Sequence, residues 1–146
     1  MDRLWNIRKL TISEITRLPS PVLICSNYSG LEKTIFQSGY KNISLNLPLA
    51  RTISGLPERG IPALITETVR ELLPQSSHVY LTDYEILFDP RYELDIIKLF
   101  IDLSRRNKLI VKWCGAIDGD ELVYAEQGFT DYKRFSIKDY DISVVK

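Results

Sequence analysis

A chain of 146 residues with 45% apolar content can bury a sizeable core in one domain, taken here as residues 1–146, and is too short for two ordinary ones. Its 19 basic and 19 acidic side chains balance, which removes the domain-wide positive excess expected of a nucleic-acid-binding protein and leaves only a local patch open. The longest apolar runs, residues 21–25 and 96–101, fall far short of a bilayer span and no amino-terminal stretch resembles a secretory signal, so a cytoplasmic chain without membrane contact is expected.

Apolar residues at Leu4, Ile7, Leu10, Ile12, Ile15 and Leu18 recur at a loosely helical spacing. Thr11 and Glu14 fit a capping box that would restart the helix there, and Pro19 and Pro21 end it. Trp5, among apolar neighbours, reads as a packing anchor. Residues 22–25 are continuously apolar, the mark of a strand covered on both faces in a parallel sheet.

From that strand, the run PVLICSNYSGLEKT at 21–34 passes through a polar, glycine-containing turn into a helix-like segment. Its last eight residues, NYSGLEKT, have the length of a phosphate-binding loop, G-x-x-x-x-G-K-[ST]. In such a loop glycines let backbone N–H groups close around phosphates, the lysine reaches the outer phosphates and the hydroxyl holds Mg²⁺. Lys33 and Thr34 keep their places, whereas Asn27 and Glu32 stand where glycines are required. Asparagine tolerates left-handed backbone geometry, so Asn27 is a mild departure. Glu32 is a larger one, because it sets a Cβ and a carboxylate where backbone should lie against phosphate. The candidate nucleotide-binding residues are Asn27, Ser29, Gly30, Lys33 and Thr34, and an ordinary strand-turn-helix junction is the alternative reading of the same stretch.

Residues 33–38 predict a short helix closed by Gly39, and the strict alternation over 43–47 predicts a second strand with Pro48 at its exit. A short helix and an exposed loop follow over 49–60, and then a helix opened by Pro62 with an apolar face of Ile65, Val69, Leu72 and Leu73. Residues 78–82 form the third predicted strand, and Asp83 and Glu85 follow it directly. A carboxylate at the carboxyl end of a parallel strand stands where open α/β sheets bind ligands. In P-loop nucleotide hydrolases that position supplies an Asp for Mg²⁺ and a residue that orients the attacking water. Asp83 and Glu85 are therefore the candidate catalytic pair, with Thr34 and Asp83 as candidate Mg²⁺ ligands; a solvated loop is the plainer account of both acids.

Asp89 and Pro90 predict a helix cap for an apolar helix over 92–106. Arg105 and Arg106 at its end suit the negative pole of the helix dipole or, alternatively, an arginine given in trans to a neighbour's nucleotide. The fourth strand, 109–115, carries one charge, Lys112, which must reach an edge or serve a site. Asp118-Gly119 predicts a turn, residues 122–124 and 134–137 short strands, and 140–145 an edge strand. Cys25 and Cys114 lack metal-ligand spacing and read as reduced core thiols; the single histidine, His78, gives a metal centre or a Ser-His relay little to draw on.

Strands alternate with helices over the first three-quarters and a β-rich segment follows, which predicts an α/β three-layer sandwich around a mostly parallel central sheet. The run LTDYEILFDP at 81–90, a leucine-rich helix ending in LSRRN, a strand closing in Trp113-x-Gly115, then Asp118-Gly119 and Leu122-x-Tyr124-Ala125-Glu126 together resemble the BrxF family, the small P-loop proteins of type 3 BREX phage-defence systems. The similarity extends over about residues 21–135. It implies a P-loop NTPase-like subunit, ATP with Mg²⁺ as cofactors and a possible ATPase activity. It also implies work beside a large ATPase, a methyltransferase and a phosphatase-like protein, with homo-oligomers allowed. By position, Lys33, Thr34 and Glu85 match the family's functional residues, and Asp83 is the nearest acid to its metal-binding position.

Two further readings belong to other classes. The departures at Asn27 and Glu32 suit a non-catalytic pseudo-NTPase scaffold that binds partner defence proteins. Lys108, Lys112, Lys133, Arg134 and Lys138 in the later half would serve a weak or indirect DNA contact, with strong salt dependence as its signature.

Overall fold

The computed structural model describes residues 3–25, 30–54, 61–126 and 128–146. Its centre is a six-stranded sheet in the order β1-β9-β2-β5-β4-β3, with every pairing parallel. The strands are β1 (Leu4–Trp5), β2 (Val22–Ile24), β3 (Lys41–Ser44), β4 (His78–Thr82), β5 (Lys108–Lys112) and β9 (Ser143–Val145). A small antiparallel sheet, β6 (Ala116–Asp118), β7 (Glu121–Tyr124) and β8 (Lys133–Ser136), stands beside it. The helices are α1 (Ile12–Arg17), α2 (Leu31–Gln37), α3 (Asn46–Ile53), α4 (Ile61–Leu72) and α5 (Ile96–Leu103).

The central strands are apolar on both faces, and each face has its own cover. Ile15 of α1, Leu18 at its end, and Leu31 and Ile35 of α2 pack on Val22, Ile24, Tyr80, Ile110 and Val145. Leu49, Ile65, Val69, Ile97 and Phe100 from α3, α4 and α5 pack on Leu23, Val79, Leu81, Val111 and Val144. Alternate residues of one strand thus serve opposite cores, so the uninterrupted apolar runs of β2 and β5 are what a doubly covered parallel sheet demands. The α/β class and the mostly parallel sheet expected from the sequence are present. Among the described residues no helix is long and apolar enough to cross a membrane.

Four predicted elements differ. The amino-terminal helix is confined to α1, where the Thr11–Glu14 capping box forms, because Leu4–Trp5 pairs with β9 and Ile7–Lys9 makes a single 3₁₀ turn. The strand predicted over 43–47 ends at Ser44; Asn46 opens α3, and Pro48 sits in its first turn, where no N–H is needed. The helix predicted over 92–106 is shortened to α5, because Glu93 takes a left-handed φ of 49° and Asp95, not Asp89, accepts the first helical N–H groups. Asp89 caps only the 3₁₀ turn Pro90–Tyr92. The predicted edge strand at the carboxyl end is interior: β9 lies between β1 and β2, and all three of its residues are buried. The exposed loop expected after α3 falls on residues 55–60, outside the described residues.

Candidate functional site

With all six strands parallel, their carboxyl ends share one edge. Two neighbours, β2 and β5, send the chain to opposite faces there: β2 leads into α2 on one side, while β5 leads through Trp113 into the core formed with Phe88 and Phe135 on the other. The crevice between such strands is where open α/β sheets bind ligands.

Gly30 begins α2 at a φ of 84°, a conformation that suits glycine. The Thr34 hydroxyl donates to the Gly30 carbonyl at 3.0 Å. Lys33 is exposed on the same turn and has no hydrogen bond or ion pair among the described residues. Asn27 and Ser29 lie outside the described residues. Glu32 turns toward β5, its Oε1 3.8 Å from Lys112 Nζ with both side chains half exposed. Beside it, burial and then the Glu32 charge push the Tyr80 hydroxyl's pKa up.

The acidic side of the crevice is built where β4 ends. Asp83 has a φ of 50°, which an aspartate tolerates. Its carboxylate accepts from the Ser44 hydroxyl at 2.8 Å, and its carbonyl accepts from the N–H groups of Leu45 at 3.1 Å and Asn46 at 2.6 Å. The Asn46 amide donates from Nδ2 to Glu85 Oε2 at 2.7 Å and accepts at Oδ1 from the Ile86 N–H at 3.0 Å. Between the two acids, Tyr84 is fully buried; its hydroxyl donates to the Lys112 carbonyl at 2.7 Å and accepts from the Cys114 N–H at 3.1 Å. The segment after β4 is thereby tied to the start of α3 on one side and to the end of β5 on the other.

These residues enclose a cleft of about 480 Å³ whose walls include Glu32, Asp83, Glu85, Lys112 and residues 113–115. A Cβ at Gly115 would collide with the Val123 carbonyl, so the wall needs glycine there. The cleft gathers both predicted catalytic acids and adds Glu32, while Lys33 and Thr34 stand outside its lining. Three carboxylates face one ammonium group, an acidic balance for a polyanion. Cys114, also in the wall, and Cys25 are free and half-buried, and burial pushes each thiol up to about 12. A raised thiol pKa disfavours the thiolate that nucleophilic attack requires.

Among the described residues no group of three or more His, Cys, Asp or Glu side chains is arranged to hold a metal ion. Magnesium, however, is commonly held by one or two protein oxygens together with the phosphates and waters that accompany it. Thr34 gives its hydroxyl hydrogen to Gly30 and keeps its oxygen lone pairs, and the exposed Asp83 carboxylate engages one hydroxyl only. Each of these oxygens is open to a ligand, and only Asp83 lines the cleft.

Ser44 and Asn46 were not foreseen as site residues. An asparagine two residues before a first-turn proline is a helix-start pattern that could have found Asn46. Lys112 resolves to the carboxyl end of β5, in the cleft. Arg105 and Arg106 follow α5 and precede β5, at the opposite end of the sheet, so they cannot serve this chain's own cleft. The five basic residues considered for DNA do not form one patch: Lys108 and Lys112 occupy opposite ends of β5, and Arg134 is engaged by Asp118, Glu121 and Tyr132. No family model, curated protein or solved structure matches the chain.

Proposed function

We propose that this chain is a P-loop NTPase-like subunit of a bacterial antiphage defence system of the BREX kind, binding a nucleoside triphosphate with Mg²⁺ through a degenerate phosphate loop. The observation that supports this best is placement. The Lys33–Thr34 turn after β2 and the Asp83–Glu85 segment after β4 stand at the same edge of a parallel sheet, on either side of β5. In this reading Lys33 meets the outer phosphates, Thr34 and Asp83 offer oxygens to Mg²⁺, and Glu85, held by Asn46, orients the attacking water. When bound, Mg²⁺ offsets phosphate charge. The partners would be the large ATPase, methyltransferase and phosphatase-like protein of such a system.

The Glu32–Lys112 ion pair favours a second reading. It sets a carboxylate in the cleft and occupies a cation that phosphate would otherwise draw, which suits a pseudo-NTPase scaffold that holds partner proteins. Calorimetric titration with Mg²⁺-ATP and Mg²⁺-GTP separates the two. Saturable binding lost in Lys33→Ala supports the nucleotide site. No binding in the native chain with recovery in Glu32→Gly supports the scaffold, and binding indifferent to Lys33→Ala sinks the phosphate-loop assignment.

A further inference from the structure

At the other end of the sheet, α4 and α5 both terminate beside the starts of β4 and β5 and enclose a second recess of about 210 Å³. Arg70, Gln75, Asp102, Arg105, Arg106 and Asn107 line it. Pockets that enclose whole small molecules run from roughly 300 to 1,000 Å³, so this one suits a single projecting group.

Two of its arginines are tethered to one carboxylate. Asp102 Oδ2 accepts from Arg70 Nε at 2.8 Å and Nη2 at 2.5 Å, and its Oδ1 lies 3.6 Å from Arg105. Asp102 is committed to these two, while Arg106 is exposed and has no side-chain partner among the described residues. Asn107 is only 8% exposed, and its Oδ1 accepts from the Ser77 N–H at 3.1 Å. That bond fixes the amide plane and leaves Nδ2 with no protein partner among the described residues. Nδ2 is reached by solvent, and an accessible amide donor beside guanidinium groups suits an oxyanion.

Charge selects which one. The three arginines outweigh Asp102, and each helix end adds about half a negative charge, which leaves a surplus of about one positive charge. That matches a carboxylate and falls short of a phosphate dianion. A nucleic-acid backbone would need a row of cations, and one recess on a chain of zero net charge does not supply it. We infer that this recess is a docking socket for an acidic polypeptide segment of a partner protein, one carboxylate of which enters between Arg105, Arg106 and Asn107. The inference does not depend on what the cleft at the opposite edge binds.

The test uses the full chain and fluorescence anisotropy at low salt with labelled octaglutamate, labelled octaglutamine and labelled oligodeoxythymidine as probes. Octaglutamate should bind saturably and octaglutamine should not. Arg105→Glu with Arg106→Glu should weaken octaglutamate by about tenfold or more, the worth of one or two charge-assisted hydrogen bonds. Asn107→Asp keeps an acceptor for Ser77 and reverses the recess's preference, so it should weaken octaglutamate too, even if the arginine pair cannot be produced folded. The charge-matched pair Arg8→Glu with Arg17→Glu, exposed on the far side of the sheet, should leave affinity unchanged. Equal loss in that control, absence of saturable octaglutamate binding, or binding of oligodeoxythymidine alone would overturn the socket.

Discussion

With Nδ2 on Glu85 and Oδ1 on the Ile86 N–H, Asn46 spends both halves of its amide on the segment that follows β4. Asn46→Ala would strip the Ile86 N–H of its acceptor and free the Glu85 carboxylate. The expected loss is about 1–3 kcal/mol of unfolding free energy, read from urea titration with an unchanged slope. Asn46→Asp keeps the acceptor for Ile86 but brings a second carboxylate against Glu85. Like charges raise a carboxyl's folded-state pKa above its unfolded value. The penalty of that variant should therefore be full at neutral pH and should shrink as acid protonates the pair. A loss that stays constant between pH 7 and pH 4 would mean the two side chains are not coupled. In the sequence Asn46 reads as one polar step of an alternating strand, and only Pro48 two residues on hints at a helix start. The contacts that decide it come from a distant segment. Asp83 and Glu85 stand out in the sequence because they follow the apolar run of β4, whereas Lys33 and Thr34, inside α2, stand out only through the loop pattern.

Elements were legible where local patterning and tertiary packing agree, and misread where they compete. The strands β2, β4 and β5 combine β-branched content with burial on both faces, so their existence followed from composition alone. Between 85 and 96 the sequence suggests a helix start at Asp89-Pro90, because proline accompanies the aspartate. Glu93 in the left-handed region breaks the chain after that turn, and the helix starts at Asp95 instead. Asp95 also does more than cap: its Oδ1 accepts from the N–H groups of Ile97 and Lys98, while its Oδ2 accepts from the Tyr140 hydroxyl at 2.8 Å. Asp95→Ala should cost about 1–2 kcal/mol in chemical denaturation, at the upper end for a cap, because a tertiary hydrogen bond goes with it. Asp89→Ala, which removes a cap from a 3₁₀ turn and a surface pair with Arg91, should cost less. The reverse order would restore the helix start that the sequence suggested.

At the scale of the molecule, the segment 143–145 fills an interior position of the sheet, between β1 and β2. Val144 is fully buried, with Leu4 and Leu23 as its parallel-strand neighbours, and the Val144 N–H donates to the Arg3 carbonyl at 2.7 Å. Periodicity could not place it. Tyr140, Ile142 and Val144 alternate as a half-exposed strand would, but Ser143 is buried as well, because its hydroxyl donates to the Pro19 carbonyl at 2.8 Å. That bond removes the cost of a polar group in the interior, and it hides an interior strand behind an edge-strand pattern. The two placements make opposite predictions. On an outer strand, an aspartate could turn to water and cost little. Between β1 and β2, Val144→Asp buries a charge with no partner at a cost of several kcal/mol, against a total stability of about 5–15 kcal/mol for a folded domain. The variant should lose its cooperative thermal transition by circular dichroism, whereas Lys41→Asp on the edge strand β3 should keep it. If Val144→Asp melts like the native chain, β9 does not close the sheet. The edge from which β2 presents its loop would then lack the strand that fixes it on that side.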